Sequence, residues 1–226
     1  MKIRILIADD HSLLREAIRH AFDQHKDIEV VAEVDDGVEA VRLSSELKPD
    51  VVIMDIMMPR LNGIEATKQI RKLTPTTAVL ILTGYDDDRY VIGLLEAGAA
   101  GYLLKSTQGQ SLVRAVRAVY DGEAILHPAL IGKILRYTTF TEPADRSCET
   151  KELLSKREKD VLKLATRGMN NKSIAEELFV TVGTVKAHLS SIFSKMGVAS
   201  RTEAIVKGMR EGWITQEDVP FEKNKK

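Results

Sequence analysis

The chain has 226 residues, a length that predicts one or two domains, and its 33 Lys and Arg balance 33 Asp and Glu, so the overall charge gives no argument for a nucleic-acid or membrane partner. Cys148 is the only cysteine, which excludes an internal disulfide and fits a reducing compartment such as the cytoplasm. No uncharged apolar run approaches the roughly 18 residues of a membrane-spanning helix, so we expect a cytoplasmic protein.

The charge is distributed unevenly along the chain. Residues 1–126 carry 15 Lys and Arg against 20 Asp and Glu, a net charge of −5. Residues 150–226 carry 15 against 10, a net charge of +5, and the segment between them is balanced. An acidic first part and a basic last part predict two units with different partners.

In the first part, apolar strand patterns alternate with amphipathic helix patterns. The predicted strands are 3–8, 28–34, 51–55, 78–83 and 101–105. The predicted helices are 12–22, 38–47, 63–73, 88–97 and 112–120, the first with Ser12 as its N-cap. This alternation is typical of an α/β fold, a five-stranded doubly wound parallel sheet with helices on both faces.

The central strand carries a single carboxylate. Val51 to Met54 are apolar, Asp55 follows them, and three further apolar residues lead to Pro59. A continuous apolar run predicts a strand that is buried on both faces. An unpaired carboxylate is costly to bury, so Asp55 should lie at the rim of the sheet, where water or a cation can reach it. Taken alone, Asp55 also fits a strand-end residue that caps a turn.

Polar residues also end three of the other predicted strands. Asp9 and Asp10 follow the first strand, Thr83 ends the fourth and Lys105 ends the fifth. Taken singly, Asp9 and Asp10 also fit a solvated turn, Thr83 fits the strand preference of threonine, and Lys105 fits a surface charge. Ligands bind outside the carboxyl ends of the strands in such a sheet, so we expect the set to converge with Asp55 on one site.

This set of residues fits phosphoryl chemistry. Carboxylates within about 5 Å of one another repel by about 3 kcal/mol per pair at an effective dielectric of about 20. A hard divalent cation removes that cost, and Mg²⁺ suits a site with few protein carboxylates and several waters. A metal-bound Asp55 could act as a nucleophile toward phosphorus, with the metal and Lys105 neutralising charge. Thr83 would add a hydrogen bond, and Gly84 leaves room for a phosphoryl group.

The same residues resemble the receiver domain of bacterial two-component response regulators over about 1–120. The matching motifs are Asp9-Asp10, Asp55 with Met58-Pro59 and Gly63, Thr83-Gly84, and Gly101-Tyr102-Leu103-Leu104-Lys105. The resemblance implies the flavodoxin-like strand order 2-1-3-4-5. It also implies that Asp55 accepts a phosphoryl group from the histidine of a sensor kinase.

The resemblance assigns roles to the neighbouring residues as well. It implies that Asp10, Asp55 and the backbone carbonyl of Met57 bind Mg²⁺, with Asp9 assisting. It further implies that Lys105 and Thr83 contact the phosphoryl group, and that Tyr102 is an aromatic switch that turns inward when Thr83 moves.

The remainder of the chain is predicted to be helical. With 1–122 as the receiver domain, we expect a linker with a short helix at 123–149, an all-α domain at 150–214 and a polar tail at 215–226. Ser155 and Glu158 form the sequence pattern of a capping box, and Gly168 ends the helix that they begin. A short helix is predicted at 171–178, a tight turn at 179–181, and further helices at 182–196 and 201–213.

The helix at 182–196 has two different faces. Its core-facing residues at helical spacing are Val185, Leu189, Ile192 and Met196. Its outward-facing residues are Lys186, Ala187, Ser190 and Ser194, with Lys195 near the end. A small, positively charged face can enter the major groove of DNA. The pattern alone also fits a generic four-helix module with a solvated basic face.

Three short motifs resemble the LuxR-type helix-turn-helix domain over about 150–214. They are Leu154-Ser155-Lys156-Arg157-Glu158, Asn171-Lys172-Ser173-Ile174-Ala175 and Thr184-Val185-Lys186-Ala187-His188. With the receiver, this combination is typical of the NarL/FixJ class of response regulators. The resemblance implies that Lys186 and Ser190 face bases, and that phosphates are held by Asn171, Lys172, Thr184 and His188.

The sequence therefore predicts a transcription factor, not an enzyme, whose receiver assists its own phosphorylation and dephosphorylation. Its expected partners are a sensor histidine kinase, promoter DNA and a second copy of the chain. One alternative is a regulator that works without phosphorylation, because Gly84 and Ser106 depart from the usual receiver pattern. Another is a haloacid dehalogenase-type hydrolase, although that family has a second Asp two residues after the first, where this chain has Met57.

Overall fold

The computed structural model describes residues 2–84, 93, 97–125, 153–198, 200–214 and 218. The chain divides into two units, Met1–Ile125 and Leu126–Lys226. The helix predicted at 88–97, the linker helix and nearly all of the polar tail lie outside the described residues. Among the helices within those ranges, none is long and apolar enough to cross a membrane.

The first unit is built on a five-stranded sheet. Its strands are β1 Ile3–Ala8, β2 Ile28–Val34, β3 Val51–Met54, β4 Ala78–Thr83 and β5 Gly101–Leu104. They pair in parallel in the order β2-β1-β3-β4-β5. The predicted fold is thereby confirmed. Because all five strands run in one direction, their carboxyl ends share one edge of the sheet.

Four described helices accompany this sheet, namely α1 Ser12–Asp23, α2 Gly37–Leu47, α3 Gly63–Leu73 and α4 Gly109–Tyr120. The expected cap at Ser12 is wrong. Helix α1 is preceded by His11 as the N-cap, and the His11 side chain makes no capping bond. Asp9 instead accepts the backbone N–H of His11 at 2.9 Å, which sets the turn one residue earlier. Helix α4 begins at Gly109, three residues before the first residue predicted to be helical. The prediction missed this first turn because it is largely exposed and contains no apolar residue.

The core of the first unit explains why β3 can be uniformly apolar. All four β3 residues are buried, and β3 lies between β1 and β4. On one face, Ile18 and Phe22 of α1 and Val116 of α4 are buried against the sheet. A strand in this position has no solvent-facing side, so the first polar residue after it falls at the rim.

The second unit contains α5 Lys156–Thr166, α6 Asn171–Glu177, α7 Val182–Met196 and α8 Arg201–Arg210. The predicted capping box at α5 is confirmed, with Ser155 and Glu158 each accepting a backbone N–H of the other. Gly168 follows α5 with a φ of +75°, as a helix-ending glycine does. Helix α8 is shorter than predicted, because Gly212 also has a positive φ and turns the chain.

Candidate functional site

The register of the sheet places two carboxylates side by side. Ala8 at the end of β1 pairs with Met54 at the end of β3, so Asp9 and Asp55 are the next residues on adjacent strands. The backbone N–H of Asp55 donates to the carbonyl of Ala8 at 2.8 Å, which continues the pairing by one residue. Both acids are buried, with 2% of Asp9 and 3% of Asp55 exposed.

Lys105 joins the two acids from the far strand. Its Nζ lies 2.8 Å from Oδ2 of Asp9 and 3.0 Å from Oδ2 of Asp55, and its side chain is largely covered. The backbone N–H of Lys105 donates to the carbonyl of Thr83 at 2.7 Å, which fixes the end of β5 against β4. The structure thus brings Asp9, Asp55 and Lys105 together from three strand ends.

Burial and the contacts with Lys105 have opposite effects on the pKa values of these side chains. Burial raises the pKa of Asp55, and the neighbouring Asp9 raises it further, while contact with Lys105 opposes both. Burial alone would lower the pKa of Lys105, but its contacts with Asp9 and Asp55 outweigh burial and raise that pKa. Lys105 therefore stays protonated at neutral pH. One ammonium faces three carboxylates once Asp10 is included, so the pocket carries an excess of negative charge.

The pocket has the donors that a divalent cation needs. Ligand atoms of Asp9, Asp10, His11 and Asp55 all lie within 4.8 Å of one another. Oδ2 of Asp9 and Oδ2 of Asp55 are both buried, and the only described cation beside them is the ammonium of Lys105. Buried carboxylate oxygens of this kind fit a hard oxygen-seeking ion such as Mg²⁺. Met57, predicted to contribute its carbonyl, lies in the loop after β3 with about half of its side chain exposed.

His11 is the residue of this cluster that the sequence reasoning missed. The only signal available in the sequence was its position directly after Asp9 and Asp10. Its Nδ1 lies 2.7 Å from Oδ1 of Asp10, a contact that neither strand nor helix periodicity predicts.

The loop between Asp55 and α3 is tightly held. A Cβ at Gly63 would lie 2.0 Å from the carbonyl oxygen of Asp55, so only glycine permits this approach. Arg60 has a φ of 62°, and its guanidinium bonds the buried carboxylate of Asp36. Asp36 also caps α2 through the N–H groups of Val38 and Glu39. These contacts anchor the loop that follows Asp55, and the Asp36–Arg60 link was not foreseen from the sequence.

The remaining predicted pocket residues lie at the ends of β4 and β5. Thr83 is fully buried, and Gly84 after it is exposed. A Cβ at Gly84 would meet only the Lys105 side chain, at 4.0 Å. Tyr102 is 4% exposed, so its ring already lies inside the domain.

In the second unit, α7 presents the predicted two faces. Its core residues Val185, Leu189, Ile192 and Met196 are buried. Lys186, Ala187 and Ser190 are exposed, while Thr184 and His188 are half-buried beside them. Lys172 is exposed at the start of α6. The outward face of α7 is thus small and positively charged, as predicted.

Two of the residues predicted to contact DNA, Asn171 and Lys195, contact side chains on neighbouring helices of the unit. Asn171 is 2% exposed, and its Oδ1 accepts a hydrogen bond from Nη1 of the buried Arg201 at 3.1 Å. Lys195 Nζ lies 2.7 Å from Oε2 of Glu158 on α5. These contacts tie both residues to neighbouring helices, and a direct contact with DNA stays a prediction for each.

The class of protein follows from these two sites. The first unit is a parallel α/β domain with an acidic pocket and a lysine at the carboxyl edge of its sheet. The second is a helix-turn-helix unit with an open positive face. Such a pairing joins a signal-receiving domain to a DNA-binding one.

Comparison with known proteins agrees with this class. A family model described as "Response regulator receiver domain" matches residues 5–117, and one described as "Bacterial regulatory proteins, luxR family" matches residues 152–207. The transcriptional regulatory protein DegU of Brevibacillus brevis is 40% identical over 225 residues, covering 94% of this chain and 95% of that protein. LiaR of Bacillus subtilis strain 168 is 41% identical over 208 residues, covering 92% of this chain and 97% of that protein.

Solved structures give the same result. The crystal structure of the response regulator ChrA, from a heme-sensing two-component system, is 35% identical with a TM-score of 0.51 and covers 94% of this chain and 99% of that chain. A LuxR-family two-component response regulator from Aurantimonas sp. is 35% identical with a TM-score of 0.56, and covers 62% of this chain and 99% of that chain. The chain belongs to the NarL/FixJ class of two-component response regulators and is a transcriptional regulator. Its two domains imply a kinase and DNA as partners.

Proposed function

We propose that Asp55 accepts a phosphoryl group from the phosphohistidine of a sensor kinase. The phosphorylated protein would then bind promoter DNA in the bacterial cytoplasm and regulate transcription. The observation that carries this proposal is the buried Asp55 carboxylate at the end of β3, with Lys105 Nζ 3.0 Å away. A buried carboxylate beside a fixed cation is a nucleophile whose charge is already balanced on one side.

The transfer itself needs little proton chemistry. An oxygen of Asp55 attacks phosphorus, the bond from phosphorus to the histidine nitrogen breaks, and the electron pair returns to the imidazole. Lys105 neutralises charge on the transferred oxygens, and the Thr83 hydroxyl would donate to one of them. Bound Mg²⁺ would supply further charge neutralisation, held by Asp10, Asp55 and the Met57 carbonyl with Asp9 assisting. The same residues would assist hydrolysis of the acyl phosphate.

The signal would then pass from the pocket to the rest of the receiver. The backbone N–H of Lys105 donates to the carbonyl of Thr83 at 2.7 Å, and Tyr102 lies on β5, three residues before Lys105. A phosphoryl group that draws Thr83 toward it would change the packing around Tyr102. This coupling would favour a homodimer that is competent to bind DNA.

The second unit would bind double-stranded DNA through α7. Lys186, Ala187 and Ser190 form the exposed face that would enter the major groove. Lys172, Thr184 and His188 surround that face and would contact phosphates. Asn171 and Lys195, which have partners within the unit, would orient α6 and α7 and contribute to binding mainly in that way.

The test is the intact mass of the full chain after treatment with acetyl phosphate and Mg²⁺. The wild-type chain should gain one phosphoryl group, and Asp55→Asn should gain none. Asp35→Asn, which removes an exposed carboxylate elsewhere in the unit, should behave as wild type. If Asp55→Asn still gains the mass stoichiometrically, the assignment of Asp55 is wrong. If the wild-type chain gains none, the alternative of a regulator that does not take phosphate is favoured.

A further inference from the structure

The start of α7 exposes apolar side chains beside its positively charged face. Val182 is the first residue of α7 and is 39% exposed, and Phe179 in the preceding turn is 95% exposed. Among the described residues of the second unit, the other large apolar side chain that is exposed is Leu153, which lies before α5. Exposed apolar side chains that lie this close together on a surface indicate a contact with a partner.

The turn before α7 also contains backbone strain. Phe179 has a φ of 54°, a left-handed conformation in which a Cβ crowds the following carbonyl oxygen. Its exposed ring buries little apolar surface, so it does not compensate for this strain. Strained residues of this kind are concentrated at functional sites. The start of α7 is therefore better suited to contact with a partner than to the stability of the unit.

The first turn of α7 is fixed in position and open to approach. The side-chain oxygen of Thr181 accepts the backbone N–H of Thr184 at 3.1 Å, which caps the helix and holds Val182 in a defined place. Gly183 follows Val182, and a Cβ at Gly183 would meet only Oγ1 of Thr181, at 3.6 Å. Because the second residue of the helix has no side chain, the floor of a groove can come close to Val182.

We propose that Val182 is a specificity-determining residue that selects a thymine in the DNA site by packing against its 5-methyl group. This inference rests on the proposed insertion of α7 into the major groove and adds a residue to it. Val182 and Lys186 are four residues apart, so they are neighbours on the helix surface. The first residues of a helix that enters the major groove are the ones that meet base edges. Val182 therefore reaches the groove beside the lysine that is predicted to face bases.

The choice of base follows from the chemistry of the side chain. Valine has no hydrogen-bonding group, so against a polar base edge it would remove water from donors and acceptors without replacing the lost bonds. Thymine presents its 5-methyl group in the major groove, where the other groups on the base edges are hydrogen-bond donors and acceptors. Contact between this methyl group and Val182 removes apolar surface from water on both sides. Val182 therefore favours thymine over the other bases at its position.

The experiment uses DNA duplexes that the full chain recovers from a pool of random sequences. Each thymine is replaced in turn by deoxyuridine, which pairs with adenine in the same way but lacks the 5-methyl group, and affinity is measured by fluorescence anisotropy. For the wild-type chain, at least one replacement should weaken binding by about fourfold, the factor that corresponds to loss of one buried methyl group. Val182→Ala should bind the thymine and deoxyuridine duplexes equally at that position.

Val198→Ala is the matched control, because the half-buried Val198 follows the other end of α7. This variant should keep the fourfold loss of the wild-type chain. If Val182→Ala shows the same loss at the same thymine as the wild-type chain, the inference is overturned. It is also overturned if no deoxyuridine replacement weakens binding of the wild-type chain.

Lys186→Ala on the same duplexes tests the proposed function separately. If Lys186→Ala weakens binding while Val182→Ala leaves every effect of deoxyuridine unchanged, α7 contacts DNA and only the Val182 inference fails. If neither variant changes binding to any duplex, α7 is not the element that contacts DNA, and the DNA-binding part of the proposed function fails as well.

Discussion

Lys195 Nζ lies 2.9 Å from Oε1 and 2.7 Å from Oε2 of Glu158, so the last turn of α7 is tied to the first turn of α5. The same carboxylate accepts the hydroxyl of Ser191 at 2.7 Å and the backbone N–H of Ser155 at 2.7 Å. One buried side chain therefore caps α5 and anchors α7. Burial alone would raise the pKa of Glu158, but Lys195, Ser191 and Ser155 outweigh it and lower that pKa to about 2.

The first prediction is that the second unit loses stability in acid. The folded pKa of Glu158 lies below its unfolded value, so its contribution is complete above about pH 4.5 and is lost as pH falls toward about 2. The difference between the two pKa values corresponds to about 3 kcal/mol, which solvent screening of the 40%-exposed Lys195 reduces to the order of 2 kcal/mol. Trp213 is the only tryptophan and lies in this unit, so its fluorescence during urea unfolding reports the unit separately.

The control for this prediction is Glu158→Gln, which keeps the shape of the side chain but cannot ionise. It should be less stable than wild type at about pH 6, and the gap should narrow as pH falls to about 3. A gap that stays constant over this range would show that the ionised carboxylate contributes nothing.

The second prediction concerns Lys105, which is the cation between two buried carboxylates. Lys105→Ala leaves Asp9 and Asp55 facing each other without compensation, and should lower the free energy of unfolding of the first unit by about 1–3 kcal/mol in the absence of metal. Mg²⁺ should restore part of that loss. Phosphorylation of the variant should also be impaired, since the transferred oxygens lose a neutralising charge.

The double variant Lys105→Ala with Asp55→Asn tests the cause. Removing one carboxylate relieves the repulsion, so the double variant should unfold at a higher temperature than Lys105→Ala alone when followed by circular dichroism. If both variants melt at the same temperature, packing of the lysine stem rather than charge accounts for the loss.

The features of the fold and of the pocket that could be predicted from the sequence are those that depend on residues close together in the chain. The buried β3 followed by Asp55 was predictable, because a doubly covered strand has no polar residue until its end. The partner of Lys195 was not, since Glu158 is 37 residues away and helical periodicity shows only that Lys195 points outward. The burial of Asn171 could not be predicted for the same reason, because it depends on Arg201 from the last helix. His11 was missed because a turn, not a periodic element, places it.

The third prediction concerns the exposed face of α7, which is proposed to enter the major groove. Lys186→Ala should weaken specific DNA binding by about 1–3 kcal/mol if the side chain reads a base edge. If it contacts only phosphate, binding should fall about equally on all sequences, and the salt slope should decrease by about 1. Both outcomes are read from fluorescence anisotropy at several salt concentrations.

Lys163→Ala provides a variant with the same loss of charge, because Lys163 lies on α5 and its ammonium pairs with Asp218 at 3.2 Å. It should change DNA affinity much less than Lys186→Ala. Equal effects of the two variants would mean that net charge, and not a contact made by α7, determines affinity.

The last prediction concerns Phe179, which has a φ of 54° and is 95% exposed in the turn between α6 and α7. Its N–H donates to the carbonyl of Glu176, and the next N–H, of Val180, donates to Ala175. These two bonds form a Schellman motif, whose left-handed position is usually glycine because a Cβ is strained there. Phe179→Gly should therefore stabilise the unit by about 1 kcal/mol, whereas Phe179→Ala, which keeps the Cβ, should not. Urea unfolding followed by Trp213 fluorescence distinguishes them, and an equal gain in both would assign the effect to loss of the exposed ring instead of relief of backbone strain.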